Sequence, residues 1–363
     1  MLGRIIVWWI RRSEMARRKK VITKNFKDIE NHRKLTKAQK KEVQDYYVSM
    51  IGQKVPLYSH EYFYSRTGVF TKDYVPTNLY HCELVPKAND KSMAKAYCDK
   101  NVCDLLFPGE NVAHYYLKNM HGYYYFEGEP VSKEEAVKLC GELKEVIIKP
   151  SISSKGKGVR LMSFTNGVNE KGETVEQVFK QYKSDFLIQK RVKQHKDMAA
   201  LNPSSLNTIR VLSYRSGMEV LIIYSVVRIG RAGQVVDNQC AGGISTTITP
   251  DGKLGKVAFG GYSTDNILKT DSGVVLDGYP IPSYDKAIEM VKRMHLRLPY
   301  FNIIGWDVAI EEDGNPILIE LNTDPGLSQS AFKSGMGKYT ERIIRELWPR
   351  PNTQWRRLRQ MVK

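Results

Sequence analysis

The chain has 363 residues, 42% hydrophobic and 26% charged, which describes a globular protein long enough for two or three subdomains. It has no apolar run of bilayer-spanning length, which excludes a transmembrane helix. Its formal charge of +17 is concentrated at the ends, residues 1–20 and 341–363 supplying +11, so the body lacks the basic groove that a nucleic-acid partner would require.

Ile5-Ile6-Val7-Trp8-Trp9-Ile10 comes first, followed by Arg11, Arg12, Arg17, Arg18, Lys19 and Lys20. The apolar part is too short to span a membrane and carries no small-residue cleavage site. Two placements fit residues 1–20. They can lie on an anionic membrane surface, where tryptophan favours the interface and each basic residue adds about 1 kcal/mol, or they can pack on the body or a partner. The expected localisation is cytoplasmic, with membrane association through this segment as one of those two placements.

Residues 21–60 read as helical, and Tyr58–Tyr80 as aromatic-rich and irregular. His81–Pro86 reads as a strand, and Asn89-Asp90 as the cap of a helix running from Lys91 to about Lys100. Asn101–Pro108 reads as a short β segment. Tyr123–Phe126 is a strand, and Ser132 with Glu135 has the form of a capping box for a helix from Lys133 to Leu143. Glu145–Pro150 is a buried strand ending in Lys149, followed by the Ser/Gly/Lys loop Ser151–Val159 and a strand over Val159–Phe164. A helix over Thr174–Gln181 and a strand over Asp185–Arg191 come next. From Asn207 onward the chain is β-rich, with strands over Thr208–Tyr214, Val220–Arg228 and Gly242–Ile248, and helices over Ser283–Arg297 and Lys338–Leu347. The class is α+β. Cys82, Cys98, Cys103, Cys140 and Cys240 have neither zinc-site spacing nor a disulfide framework.

The densest signal is Asn302–Ser330. A strand over Gly305–Ile310 and a second over Ile317–Asn322 flank a turn containing Asp313-Gly314. Period-two alternation places Asp307 on one face of the first strand, and Leu318, Glu320 and Asn322 together on one face of the second. Asp307, Glu320 and Asn322 then form an oxygen-only set suited to Mg²⁺, with Mn²⁺ as a substitute. A solvated polar hairpin face is the alternative, and the choice depends on a nucleotide site upstream. The loop at Ser153, Ser154, Lys155, Gly156, Lys157 and Gly158 offers backbone N–H groups and two ammonium groups to phosphates, although it is not a P-loop. Lys149 can add a point charge or simply reach water from a strand end, and the Phe186–Val192 strand, ordinary by composition, can hydrogen-bond adenine through backbone groups and Gln189.

Taken in order, Asp90-Lys91, Ile148-Lys149-Pro150, the Gly-rich loop, Ile188-Gln189-Lys190, and Asp307, Glu320 and Asn322 resemble the ATP-grasp superfamily. Glu320-Leu-Asn-Thr-Asp-Pro-Gly326 is similar to its E-x-N-x-x-P-G signature, and the resemblance covers Asn89–Ser330. Asn207–Arg210 (NTIR) and Val236–Ile244 (VDNQCAGGI) look most like the sugar-transfer-associated members found in polysaccharide gene clusters. The resemblance implies an ATP-grasp fold in which two α+β subdomains clamp ATP, at residues 111–190 and 191–347. A helical and α/β region at 21–110 precedes them and a basic tail at 348–363 follows. It implies that Lys91, Lys149 and the Ser153–Gly158 loop contact phosphates, that Gln189, Lys190 and Val192 hold adenine, and that Asp307, Glu320 and Asn322 hold the metal. The ribose carboxylate usual in the superfamily has one acidic counterpart here, Asp197, in a mostly basic stretch.

Arg210 and Arg228 are candidates for contacting the transferred phosphoryl group or the acceptor carboxylate, or else are surface ion-pair residues. Asn207, Asp237, Asn238, Gly242 and Gly243 are candidates for the acceptor pocket, Gly242-Gly243 reading equally as a bulge. The implied activity is ATP-dependent joining of a carboxylate to an amine through an acylphosphate, on a small-molecule or glycan-precursor acceptor. Phosphoryl transfer to a sugar or small molecule and a non-catalytic scaffold for glycosyltransferases are the alternatives.

Overall fold

The computed structural model describes residues 2–27, 29, 31–153, 156–231, 233, 242–260, 266–355 and 360. Strands β1 (Tyr115–Met120), β2 (Tyr123–Phe126), β3 (Glu129–Val131), β4 (Val146–Pro150) and β5 (Arg160–Met162) precede a small hairpin. That hairpin is β6 (Phe164–Thr165) and β7 (Val168–Asn169), and β8 (Phe186–Lys190) follows it. The second set is β9 (Thr208–Ser216), β10 (Glu219–Ile229), β11 (Ile244–Ile248), β12 (Phe259–Gly260), β13 (Ile303–Ile310) and β14 (Pro316–Asn322).

Two six-stranded antiparallel sheets result, in the orders β3-β2-β1-β8-β4-β5 and β12-β11-β10-β9-β13-β14. One face of the first sheet packs on helices Lys133–Cys140 and Val175–Tyr182, through Ala136, Cys140, Val178 and Phe179. Both helices begin with the reciprocal Ser/Thr-x-x-Glu/Gln box, Ser132 with Glu135 and Thr174 with Gln177, which satisfies two otherwise unpaired N–H groups. The second sheet is covered on both sides. Helix Tyr284–Leu296 packs against one face, and helices Lys37–Ile51 and Thr340–Leu347 against the other. Every residue of β13 is therefore buried, as expected of a strand between two layers. The sheets meet where Asn111–Ala113 runs beside Leu318 and Ala309 packs with Ala113 and Leu187. The architecture is α+β with a helical N-terminal region.

Three segments differ from the sequence expectation. His81–Pro86 is helical, within a run of turns over Thr77–Leu79, Tyr80–Leu84 and Val85–Ala88 that buries Tyr80, Leu84 and Val85 against the second sheet. Asn101–Pro108 forms a 3₁₀ turn at Lys100–Val102 and a helix at Cys103–Leu106, and the preceding helix shortens to Ala94–Tyr97. Tyr58–Thr67 is a helix whose Tyr62 and Phe63 bury against Ile22 and Ile29. In each case the apolar run is short enough to satisfy either period, and packing against a neighbouring layer selects the helix. The four described cysteines are free.

Candidate active site

The hairpin β13–β14 positions the acidic residues through an irregular register. Val308 pairs with Leu318 and Asp307 pairs with Glu320, leaving Ile319 as the extra residue of a bulge. The bulge turns Leu318 into the main core beside Trp306 and Val308, so Leu318 does not share a face with Glu320 as strict alternation predicts. Asp307 and Glu320 lie directly across the strand pair, and Asn322 is opposite Gly305 two residues further on. A methyl group at Gly305 would come within 2.8 Å of Pro325 Cβ and 3.5 Å of Arg210 Cδ, so glycine here lets the Thr323–Gly326 loop fold close to the site. The loop is fastened from the other side by Asn89. Its fully buried amide donates to the Ile303 and Thr323 carbonyls and accepts from the Asn302 and Ile303 N–H groups.

Asp307 is 3% exposed and sits between two guanidinium groups. Arg210 on β9 donates Nε and Nη2 to its two oxygens at 2.6 and 2.7 Å, and Arg228 on β10 donates Nη1 at 3.1 Å. Burial alone would push the Asp307 carboxyl up, but Arg210 and Arg228 outweigh it and hold the carboxyl below the usual carboxylate range. The arginines are thus part of a buried cluster rather than surface pairs. A carboxylate accepts at about four lone-pair sites, and the arginines take three of those on Asp307. Glu320, which is partly exposed, faces Asp307 across the strand pair, and Asn322 lies two residues further along the same strand. The hairpin thus offers two carboxylates and one amide oxygen, the donor types a hard divalent cation takes, although no cluster of three or more His, Cys, Asp or Glu that could hold a metal ion is found among the described residues. The Asn322 amide oxygen also accepts from the Asp324 N–H at 2.9 Å.

Lys149, near the end of β4, is buried, with the charges of Lys100 and Glu320 close by. Burial and the neighbouring Lys100 lower its ammonium to about 8, while Glu320 pulls in the opposite direction. Lys100 itself was not anticipated. It lies 3.4 Å from Glu320 Oε2, and its ammonium also donates to the Ser153 carbonyl at 3.2 Å, joining the phosphate loop to the hairpin. The available signal was Asp99-Lys100-Asn101, a second Asp-Lys pair in which Asp99 accepts from the Asn101 N–H. Lys91 lies 3.1 Å from Asp324 Oδ2, with His81 Nδ1 2.9 Å from the other carboxylate oxygen. Burial lowers the His81 imidazole despite that carboxylate.

Within the loop, Ser154 and Lys155 lie outside the described residues. Gly156 and Gly158 both have positive φ, at 69° and 74°. Gly158 is also pressed on Pro150, where a Cβ would meet the ring at 3.0 Å, while its carbonyl accepts from Tyr182. Lys157 is exposed. On β8, Gln189 is 3% exposed and its Oε1 has no hydrogen-bond partner. Lys190 is exposed and bonds through its backbone to His114, and Val192 packs partly buried beside Leu187.

Asp197 is in the helix Lys196–Leu201, its carboxylate 3.5 Å from His195 Nδ1. Asn207 is fully buried, and its amide is used internally, donating to Met198 and Asn202 carbonyls and accepting from Ser205. It ties the 194–207 loop together and has nothing to offer an acceptor pocket, which corrects that expectation. Asp237 and Asn238 lie outside the described residues, while Gly242 is exposed and Gly243 is buried just before β11. A cavity of about 400 Å³ opens on the Arg210 and Arg228 side, also lined by Arg66, Ser245, Tyr62 and Asn25.

The sugar-transfer associated ATP-grasp family matches residues 79–344. Among curated proteins, none matches. Similar solved structures include the biotin carboxylase-βγ-ATP complex from Campylobacter jejuni, at 13% identity and TM-score 0.45, covering 74% of this chain and 50% of that one. The ATP-grasp ligase PsnB with a phosphomimetic variant of minimal precursor, Mg and ADP is 13% identical with TM-score 0.41, covering 71% of this chain and 61% of that one. The L-amino acid ligase from Bacillus licheniformis is 10% identical with TM-score 0.39, covering 69% and 48%. The chain thus spans about half to six-tenths of these structures. Since the family match takes in most of its length, the protein belongs to the sugar-transfer associated ATP-grasp family.

Proposed function

We propose that the protein binds ATP between its two sheets and uses it to join a carboxylate to an amine. The observation that carries this reading is the convergence of Lys100, Lys149, Arg210 and Arg228 on Asp307 and Glu320 at the meeting of the sheets. Phosphoryl transfer requires positioning and charge neutralisation more than covalent participation by the protein, and buried cations beside carboxylates meet that requirement. The unpartnered Gln189 Oε1 suits the exocyclic amine of adenine. Lys149, with the Ser153–Gly158 loop and Lys100, would hold the phosphates, and the hinge Gln189–Val192 the base. Lys91, paired with Asp324, would serve at the edge of the phosphate site, and Asp197, the one acid of residues 193–197, would serve the ribose. Glu320, Asn322 and the remaining acceptor site of Asp307 would hold Mg²⁺ or Mn²⁺, which neutralises phosphate charge when bound.

The arginine-lined cavity would take the acceptor carboxylate. Its volume lies in the range of small-molecule pockets, and a planar guanidinium pairs with a carboxylate through two parallel bonds. A carboxylate oxygen attacks the γ-phosphorus, the bond to the β,γ-bridging oxygen breaks, and ADP leaves. An amine then attacks the acyl carbon, loses a proton, and expels phosphate to form the amide. Arg210 and Arg228 hold the acceptor against the phosphoryl group during the first step. The family's association with sugar transfer supports a glycan-precursor acceptor in polysaccharide assembly.

The test is equilibrium binding of MgADP. Unliganded Lys149 loses its proton at about 8, and a bound phosphate holds that proton. Affinity is therefore expected to be flat below pH 8 and to fall as pH rises above it. Lys149→Met should weaken binding about 10- to 150-fold, the range for one hydrogen bond to a charged group, and remove the pH dependence. Affinity unchanged between pH 7.5 and 9.5 in wild type, or wild-type affinity in the variant, would contradict the assignment.

A further inference from the structure

The N-terminal helix, Leu2–Lys27, has two unlike faces. Its inner face is fixed to the body. Arg11 pairs with Glu83 at 2.6 Å, Arg18 approaches Asp324, Ile10 and Met15 pack against Cys82 and Trp355, and Ile22 is buried. The outer face is held toward solvent by the same contacts. Ile5, Trp8 and Trp9 are there, 53%, 53% and 67% exposed, in the first turns of the helix. Arg12, Lys19, Lys20 and Lys24 continue the face, all exposed, and Arg12 stacks over the Trp8 ring at 5.0 Å. At 100° per residue these side chains cluster on one side of the helix. The only acid of Leu2–Lys27, Glu14, is already paired with Arg17.

We propose that this outer face is a docking surface for an anionic lipid bilayer, the helix lying in the interface plane with its tryptophans inserted and its basic row over the headgroups. Two observations select lipid over a protein partner. Indole rings favour the boundary between headgroup and acyl chain, and the exposed charge on this face is of one sign, complementary to an anionic surface. The same one-signed face on a second copy would repel it. No helix of the described residues is long and apolar enough to cross a membrane, which fits a helix that lies on the surface. The sequence left membrane contact and packing on the body as alternatives for residues 1–20, and the described helix from Leu2 does the second with one face and is free for the first with the other.

The test is co-sedimentation of the full chain with phosphatidylcholine vesicles, with and without phosphatidylglycerol, at low and high salt. Binding is expected to the phosphatidylglycerol vesicles alone, to weaken as salt screens the basic row, and to bring a blue shift in tryptophan emission. Trp8→Ser with Trp9→Ser, and separately Lys19→Gln with Lys20→Gln and Lys24→Gln, should each reduce binding about tenfold or more. Both variants should unfold thermally as wild type does, since none of these side chains is buried. Failure to bind phosphatidylglycerol vesicles, or equal binding to neutral ones, would overturn the proposal. So would a dimer in sedimentation velocity that Trp8→Ser with Trp9→Ser abolishes while vesicle binding is absent.

Discussion

Replacing Asp307 by alanine is expected to lower stability by about 3–5 kcal/mol, the cost of leaving buried cations without their partner. Arg210 and Arg228 project from adjacent strands of a sheet covered on both faces, and both are mostly buried. With Asp307 removed, two guanidinium groups are left close together in that interior with the bidentate contact gone. Asp307→Asn keeps the shape but removes the charge, and should fall between wild type and alanine. The pH dependence follows from the depressed carboxyl. The folded state holds the carboxylate where the unfolded chain would protonate it. Its contribution is therefore fully present above the ordinary carboxylate range and is lost progressively as pH falls from that range through the lower folded value. Guanidinium unfolding at neutral pH measures the effect. A loss below about 1 kcal/mol, the range of exposed pairs, would mean that both arginines reach water in the variant.

Glu320→Ala is expected to have the opposite profile. Its carboxylate is partly exposed, and its 3.4 Å approach to Lys100 is long, so stability should change by less than about 1 kcal/mol. ATP-dependent turnover should fall by about 10³-fold or more if, as proposed, the residue holds the ion that neutralises the phosphates. Two carboxylates facing each other across one strand pair would thus separate: Asp307 mainly organises the arginines, and Glu320 mainly serves the chemistry. Turnover within a few-fold of wild type in Glu320→Ala, with wild-type stability, would remove Glu320 from the site.

The parts of this arrangement visible in the sequence are those set by local rules. The capping box at Ser132 marks its helix because a side chain and an N–H three residues apart satisfy each other. The β13–β14 hairpin is marked by its turn and by acids set among apolar residues. What escaped depends on partners far away in the chain. The bulge at Ile319 is invisible to strict alternation, and it decides which side chains join Asp307. Arg210 could be recognised as an anion-binding candidate, but its carboxylate partner is 97 residues away. Lys100 looked like the end of a helix, because nothing local shows that the Ser153 carbonyl and Glu320 come to meet it. Asn207 looked like a pocket residue, and only the fold shows its amide fully used within one loop.

The central claim is that ATP is spent on activating a carboxylate for attack by an amine. It is tested most directly by ³¹P NMR of MgATP with the purified protein, pooled sugar acids and pooled amino acids, with Glu320→Ala as control. The account predicts ADP and inorganic phosphate in equal amounts with wild type only when both pools are present, and neither with the variant. A new phosphoester signal that forms without any amine would contradict it and assign the site to phosphoryl transfer.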